Sequence, residues 1–273
     1  MINRANPITN GMLACYTCQE KLGMNLVTSQ KAAEIKGQEY VATKYGVFPN
    51  LDNTSVGNNS TADTAIRYFK NIGWNAGAKT GIFTAMTFGT FDTSASNDIT
   101  PYITDRNNVA TDWSFQLLVR ASTLGSNQSA AQLNTNDGAG SEMEFFTTNT
   151  ITDNNPHIIF GRYFGDDTNP CLDMWLDGNK ETAGPNSVLD STGYSINTSS
   201  TNDLCCGAYY NFSGQYSATG THFISAYWNR NLTDAEIISL SKDPFQLLLK
   251  QHDIFLPGIR SEDVTPPLIV RVR

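Results

Sequence analysis

Residues 221–245 read THFISAYWNRNLTDAEIISLSKDPF, and this stretch decides the fold. His222 to Trp228 is an apolar, aromatic run of strand length. Asn229-Arg230-Asn231-Leu232 then turns the backbone, and Thr233-Asp234-Ala235-Glu236 has the form of a capping box. In such a box the Thr233 side chain accepts from the N–H of Glu236, and the Glu236 carboxylate accepts from the N–H of Thr233. Ile237, Ile238 and Leu240 give the helix an apolar stripe. Asp243-Pro244 stops it, because the residue before a proline avoids helical angles. Phe245, Leu247 and Leu248 add a second apolar patch. A strand, a short capped helix and a Pro-Phe anchor make a clasp, and a clasp of this kind needs a sheet beneath it.

Strand signals separated by turn residues recur upstream of the clasp. They cover residues 11–16, 65–69, 82–91, 113–120, 141–146, 158–164, 172–176 and 204–210. Trp113, Phe115, Leu117 and Val119 alternate with Ser114, Gln116 and Arg120, which predicts one buried and one mostly polar face. Leu172, Met174 and Leu176 share a face of their strand, and Asp177-Gly178 after it is a strong hairpin signal, since glycine accepts the positive φ of a primed turn. Residues 31–36 read as a helical turn, and Gly125 to Gly140 as a polar loop.

Composition agrees with an all-β protein. Of 273 residues, 40% are hydrophobic and only 16% charged, below the usual quarter. Asn, Thr, Ser and Gly fill the difference, as turns and pleated surfaces require. The length suits one sandwich domain, residues 1–251, followed by an extended arm, 252–273. The net charge is −8, and no cluster of Lys and Arg offers a phosphate-binding stripe, which argues against nucleic acid. Apolar runs fall far short of the roughly 20 residues that span a bilayer, so no membrane partner is expected. Met1 to Pro7 lacks the apolar core of a secretory signal.

Five cysteines make an odd number. Cys15 and Cys18 form a CxxC, which can denote zinc or redox chemistry. Yet Met12 to Tyr16 reads as a strand rather than the helix N-terminus that would acidify a thiol. The adjacent Cys205 and Cys206 would point to opposite faces of a strand, so both cannot join one zinc site. The expectation is buried free thiols.

The clasp, together with two other pieces, resembles a laminin-G-like domain of the concanavalin A-like lectin/glucanase superfamily, of the kind found in phage and prophage virion proteins. Trp228, Arg230, Leu232, Thr233, Glu236, Ile237, Leu240, Pro244 and Phe245 match the ending of such domains. Residues 157–180 are similar to their paired strands and hairpin, and Asn6-Pro7 to Tyr16 to their first strand. The resemblance implies an antiparallel two-sheet jelly-roll sandwich with a short capped helix near its C-terminus. It also implies a non-enzymatic virion component, a capsid decoration or tail-associated module on the particle surface, made in the host cytoplasm.

Partners and ligands follow as expectations. Arm residues Phe255, Arg260, Pro266, Pro267, Arg271 and Arg273 would dock to a capsid or tail protein or to like subunits, because proline excludes a helix there. A cell-surface glycan would stack on Trp74, Tyr209, Tyr210 or Tyr216, although these rings serve equally as core. No cofactor is expected; calcium is the one alternative, on the hard oxygens of Asp166, Asp167 and Asn169, which more commonly serve simply to form a turn. A free carbohydrate-binding module is the alternative. A glycoside hydrolase using Glu142 and Glu144 is a further one, since those carboxylates share a strand face. The related glucanases carry E-x-D-x-x-E, whereas Phe145-Phe146-Thr147-Thr148 follows here, so a third acid is missing and no catalytic residue is assigned.

Overall fold

The structure, a computed structural model, describes residues 1–17, 24–31, 34–35, 39–51, 66–67, 81–91, 99–106, 112–120, 129–151, 153–166, 168–200, 202, 204–207 and 220–248. Its strands in chain order are β1 (Met12–Thr17), β2 (Met24–Asn25), β3 (Gln30–Lys31), β4 (Glu34–Ile35), β5 (Glu39–Thr43), β6 (Gly46–Leu51), β7 (Ile66–Arg67) and β8 (Phe83–Thr90). They continue with β9 (Ile99–Thr104), β10 (Phe115–Arg120), β11 (Ala130–Asn136), β12 (Glu142–Thr150), β13 (Pro156–Tyr163), β14 (Leu172–Leu176), β15 (Asn179–Lys180) and β16 (Gly220–Trp228). The helix α1 spans Asp234–Lys242.

The strand that opens the clasp lies inside the larger sheet, whose order is β15-β14-β13-β8-β16-β1-β2-β3, with the β5–β6 hairpin attached to β16. Every pairing in it is antiparallel. Both faces of this sheet are covered, which is why β16 reads as a nearly unbroken apolar run rather than an alternation. Tyr227, Phe83, Ala85, Ile159, Met174 and Leu176 face the second sheet. Ile224, Ala226, Trp228, Met86, Phe160 and Trp175 face the other way, against Ile8, Phe48, Leu232, Ile237, Leu240 and Leu247.

The smaller sheet has the order β12-β11-β10-β9. Its inner face brings Phe115, Leu117, Val119, Ala131, Leu133, Met143 and Phe145 into the core between the sheets. The two layers meet closely at Gly161, where a Cβ would lie 2.8 Å from Leu133 Cδ2. Residues 183–200 and 204–205 lie along the two edges of this sheet. Gly184 donates to Phe146 and Val188 exchanges bonds with Glu144 along β12. Cys205 then exchanges bonds with Thr104 on β9.

The clasp forms as the sequence predicts. Both halves of the capping box at Thr233 and Glu236 are present. Glu236 also binds Arg230, at 2.7 and 2.9 Å, and Arg230 donates on to Asn10 O. Trp228 Nε1 donates to Ile8 O at 2.8 Å, and Asn3 N donates to Leu247 O. The N-terminal residues therefore share the clasp layer with residue 248. A buried guanidinium rivets this layer to the sheet. Arg162 donates through Nε and Nη2 to Asp173 and through Nη1 to Leu232 O, and its Nη2 pairs with Asp234 at the start of α1. The primed hairpin is also present, with φ of 52° at Asp177 and 82° at Gly178.

Three expectations are corrected. The stretch from Gly125 to Gly140 is not a loop throughout, because β11 occupies residues 130–136 at the centre of the smaller sheet. Its outward residues Gln132, Asn134 and Asn136 have turn-like chemistry, while Ala131 and Leu133 are the inward half of an alternation. The helical turn at 31–36 is replaced by β3 and β4, whose pairing with β2 and β7 outweighs local propensity. At 204–210 the described part is a single bridge from Cys205 to Thr104; residues 208–210 lie outside the described residues. Cys15 and Cys171 are buried thiols, pushed by burial up to about 12 and about 11. Cys205 and Cys206 are buried as well, and Cys18 lies outside the described residues.

Candidate functional site

The outer face of the smaller sheet carries a polar ladder. Antiparallel pairing sets Gln116 of β10 opposite Asn134 of β11, and Asn134 opposite Glu144 of β12. Asn136 stands opposite Glu142, and Gln132 opposite Phe146. These residues alternate with the inward Leu117, Leu133, Met143 and Phe145, so one pleat fills the core while the next builds the ladder. The side chains then join laterally. Arg120 Nε donates to Gln132 Oε1 at 2.8 Å, Gln132 Nε2 donates to Glu144 Oε1 at 3.0 Å, and Asn134 Nδ2 donates to the same oxygen at 3.1 Å.

Glu144 is the hub of this row. Burial raises the pKa of both glutamates, and the charge of Glu142 raises Glu144 further, while Arg106 acts against the shift at each. Arg106 approaches Glu142 at 4.0 Å and lies over the Trp113 ring at 4.5 Å. Arg120 lies over the Phe146 ring at 5.0 Å. Glu142, Glu144, Arg106 and Arg120 are half-buried, whereas Gln132 and Asn134 are buried. The side-chain carbonyl of Asn134 is covered and has no hydrogen-bond partner. The half-buried carboxylates and guanidinia, braced by the buried amides beneath them, are the groups of this row that a polar ligand can reach directly.

The sequence-predicted residues fall in several places. Glu142 and Glu144 share one face of β12, as expected. Among the described residues no group of three acids, histidines or cysteines is placed to hold a metal. Asp166 accepts from Tyr163 Oη, Ser195 Oγ and Ile196 N. Asn169 is exposed before Pro170. Asp167, the aromatic residues Trp74, Tyr209, Tyr210 and Tyr216, and the arm residues Phe255, Arg260, Pro266, Pro267, Arg271 and Arg273 lie outside the described residues. Sequence reading missed Gln132 and Asn134. The alternation Ala131-Gln132-Leu133-Asn134 carried the signal, hidden within a polar composition.

The binding domain of Paraclostridial Mosquitocidal Protein 1 matches with a TM-score of 0.57 and 12% identity, over 87% of this chain and 53% of that one. Domain 4 of AbnA, a GH43 extracellular arabinanase from Geobacillus stearothermophilus, solved with arabinotriose, matches with a TM-score of 0.54 and 11% identity, over 84% of this chain and 98% of that one. The binding domain of botulinum neurotoxin DC in complex with SialylT gives a TM-score of 0.55 and 12% identity, over 86% and 52%. The chain shares the antiparallel β-sandwich fold of these domains, with one short helix. It spans about half the length of the toxin binding domains and nearly all of the arabinanase domain. No family model matches it, and no curated protein does.

Proposed function

We propose that this lectin-like sandwich is a non-catalytic display module that reads a glycan with the ladder on its smaller sheet. The observation that carries the reading is the separation of two layers. The N-terminal residues and residue 248 lie together on the clasp, while Gln132, Asn134, Glu142 and Glu144 lie on the far side of the smaller sheet. Attachment on one side leaves the half-buried Glu142 and Glu144 on the other available for contact. The neighbours support this use of the fold, since one was solved with arabinotriose and another with SialylT.

The resemblance to phage and prophage domains extends the proposal to a virion surface, with capsid decoration as the preferred version. Residues 252–273 would then hold the module to a capsid or tail protein, or to like subunits. Deleting 252–273 is expected to leave the melting temperature and glycan binding unchanged and to abolish incorporation into particles. Particles that incorporate the truncated chain at the full level would rule out the arm. Glycan hydrolysis by the intact chain, lost in Glu142→Gln, would rule out the non-catalytic reading.

A further inference from the structure

Resting on the glycan reading above, we propose that the ladder selects an uncharged, hydroxyl-rich sugar chain over sialylated or uronic glycans, and that Asn134 supplies its specificity-determining acceptor. The argument is a count of donors and acceptors. Asn134 is 2% exposed. Its Nδ2 is committed to Glu144, which fixes the direction of its Oδ1, and that oxygen has no partner. A buried acceptor without a donor is unusual in a folded protein and calls for an explanation. Glu144 takes both amide donors on Oε1, which leaves Oε2 uncommitted. Asn134 Oδ1 and Glu144 Oε2 are acceptors, and a sugar hydroxyl is a donor that fits them, while the Gln116 amide N–H opposite Asn134 can bond only a sugar oxygen.

An anionic sugar meets the opposite arrangement. Its carboxylate would lie beside Glu142 and Glu144, two half-buried carboxylates that already repel one another. The cations that could compensate are engaged, Arg106 with Glu142 and the Trp113 ring, and Arg120 with Gln132 and the Phe146 ring. Arg120 also acts on Glu144, where its charge lowers the pKa that burial and Glu142 raise, so its charge is already balanced within the row. Specificity of this kind arises as much from repelling the wrong ligand as from holding the right one.

The test uses the full chain on an array of matched neutral and sialylated oligosaccharides, followed by calorimetric titration of the best neutral ligand and its sialylated counterpart. The neutral member is expected to bind at least tenfold more tightly. Asn134→Leu and Glu144→Gln should each weaken neutral binding at least tenfold with an unchanged melting temperature, and Glu144→Gln should narrow the gap between the pair. Equal or tighter binding of the sialylated member overturns the charge selection. Wild-type affinity in both variants overturns the role of the ladder while leaving glycan binding intact. If the wild-type chain binds no glycan at all, the underlying reading falls and this inference with it. Should Asn134→Leu fail to fold, the neutral–sialylated comparison and Glu144→Gln still decide the matter.

Discussion

On the outer face of the larger sheet, Ile224, Ala226 and Trp228 meet Ile237, Leu240 and Leu247, and the buried Arg162 is enclosed by Asp173, Asp234 and the Leu232 carbonyl. On the outer face of the smaller sheet, Glu144 gathers two amides on one oxygen while its other oxygen and the Asn134 carbonyl remain uncommitted. The first face pairs its one buried guanidinium on three sides and surrounds it with apolar contact, leaving among its described side chains only the Trp175 indole N–H without a partner, which is how burial becomes stability. The second keeps acceptors in reserve, at some expense to stability, which is how a fold prepares for a ligand. The difference teaches that stability and recognition are assigned to separate layers, and each layer can be perturbed alone.

The largest effect should come from the clasp. Trp228→Ala removes a fully buried ring and its bond to Ile8, and is expected to cost about 3–5 kcal/mol in denaturant unfolding. The remaining folded protein should still bind glycan. A cost below about 1 kcal/mol would break the assignment of stability to this face.

Next comes pH, through two histidines of the larger sheet. Burial lowers His222 to about 4. The unfolded chain then takes up a proton near 6.5 while the folded one does so only near 4, so stability falls as pH drops through that window, by about 3 kcal/mol. His157 behaves in the opposite sense. Its bond to Asp177 raises it, burial opposes this, and its bond to Asp153 adds to the rise, bringing it to about 9. The folded state holds that proton longer, so its contribution is complete below 6.5 and disappears as pH rises to 9. Both aspartates are substantially exposed, and solvent screening keeps the effect to about 1 kcal/mol. Urea unfolding from pH 4 to 9 should peak near 6.5, and His157→Gln should flatten only the alkaline side. A flat acid side would sink the account of His222.

The smallest effect should come from the ladder. Glu144→Gln keeps the shape and an acceptor for the two amides while removing a desolvated charge, so stability should change by less than about 0.5 kcal/mol. A loss above about 1 kcal/mol in thermal unfolding would mean that the ladder holds the fold, and the contrast between the two faces would fail.

The legibility of these two faces in the sequence differs for the same reason. The clasp is contiguous, and its stops and starts are local chemistry: a Thr233–Glu236 box, a Pro244 stop and an Asp177-Gly178 turn each act within a few residues. The hairpin of β13 and β14 was readable on the same grounds. The ladder draws on β10, β11 and β12, and only strand register brings Gln116, Asn134 and Glu144 into one row. Nothing within one segment announces that convergence. Glutamine and asparagine on the outward pleat of β11 also imitate a loop, so the strand holding the most informative acceptor was the one least visible. Glu142 and Glu144 were visible as a pair, yet their partners were not, and a pair of acids alone suggested hydrolysis.

The segments at 183–200 and 204–205 have a consequence for crowding. An exposed strand border is a template onto which a neighbouring molecule can zip, and crowded copies would meet border to border. Here the backbone groups of Glu144 and Phe146 on one border, and of Thr104 on the other, are already occupied by the protein's own chain. At those positions a neighbouring copy finds no free backbone group to pair with.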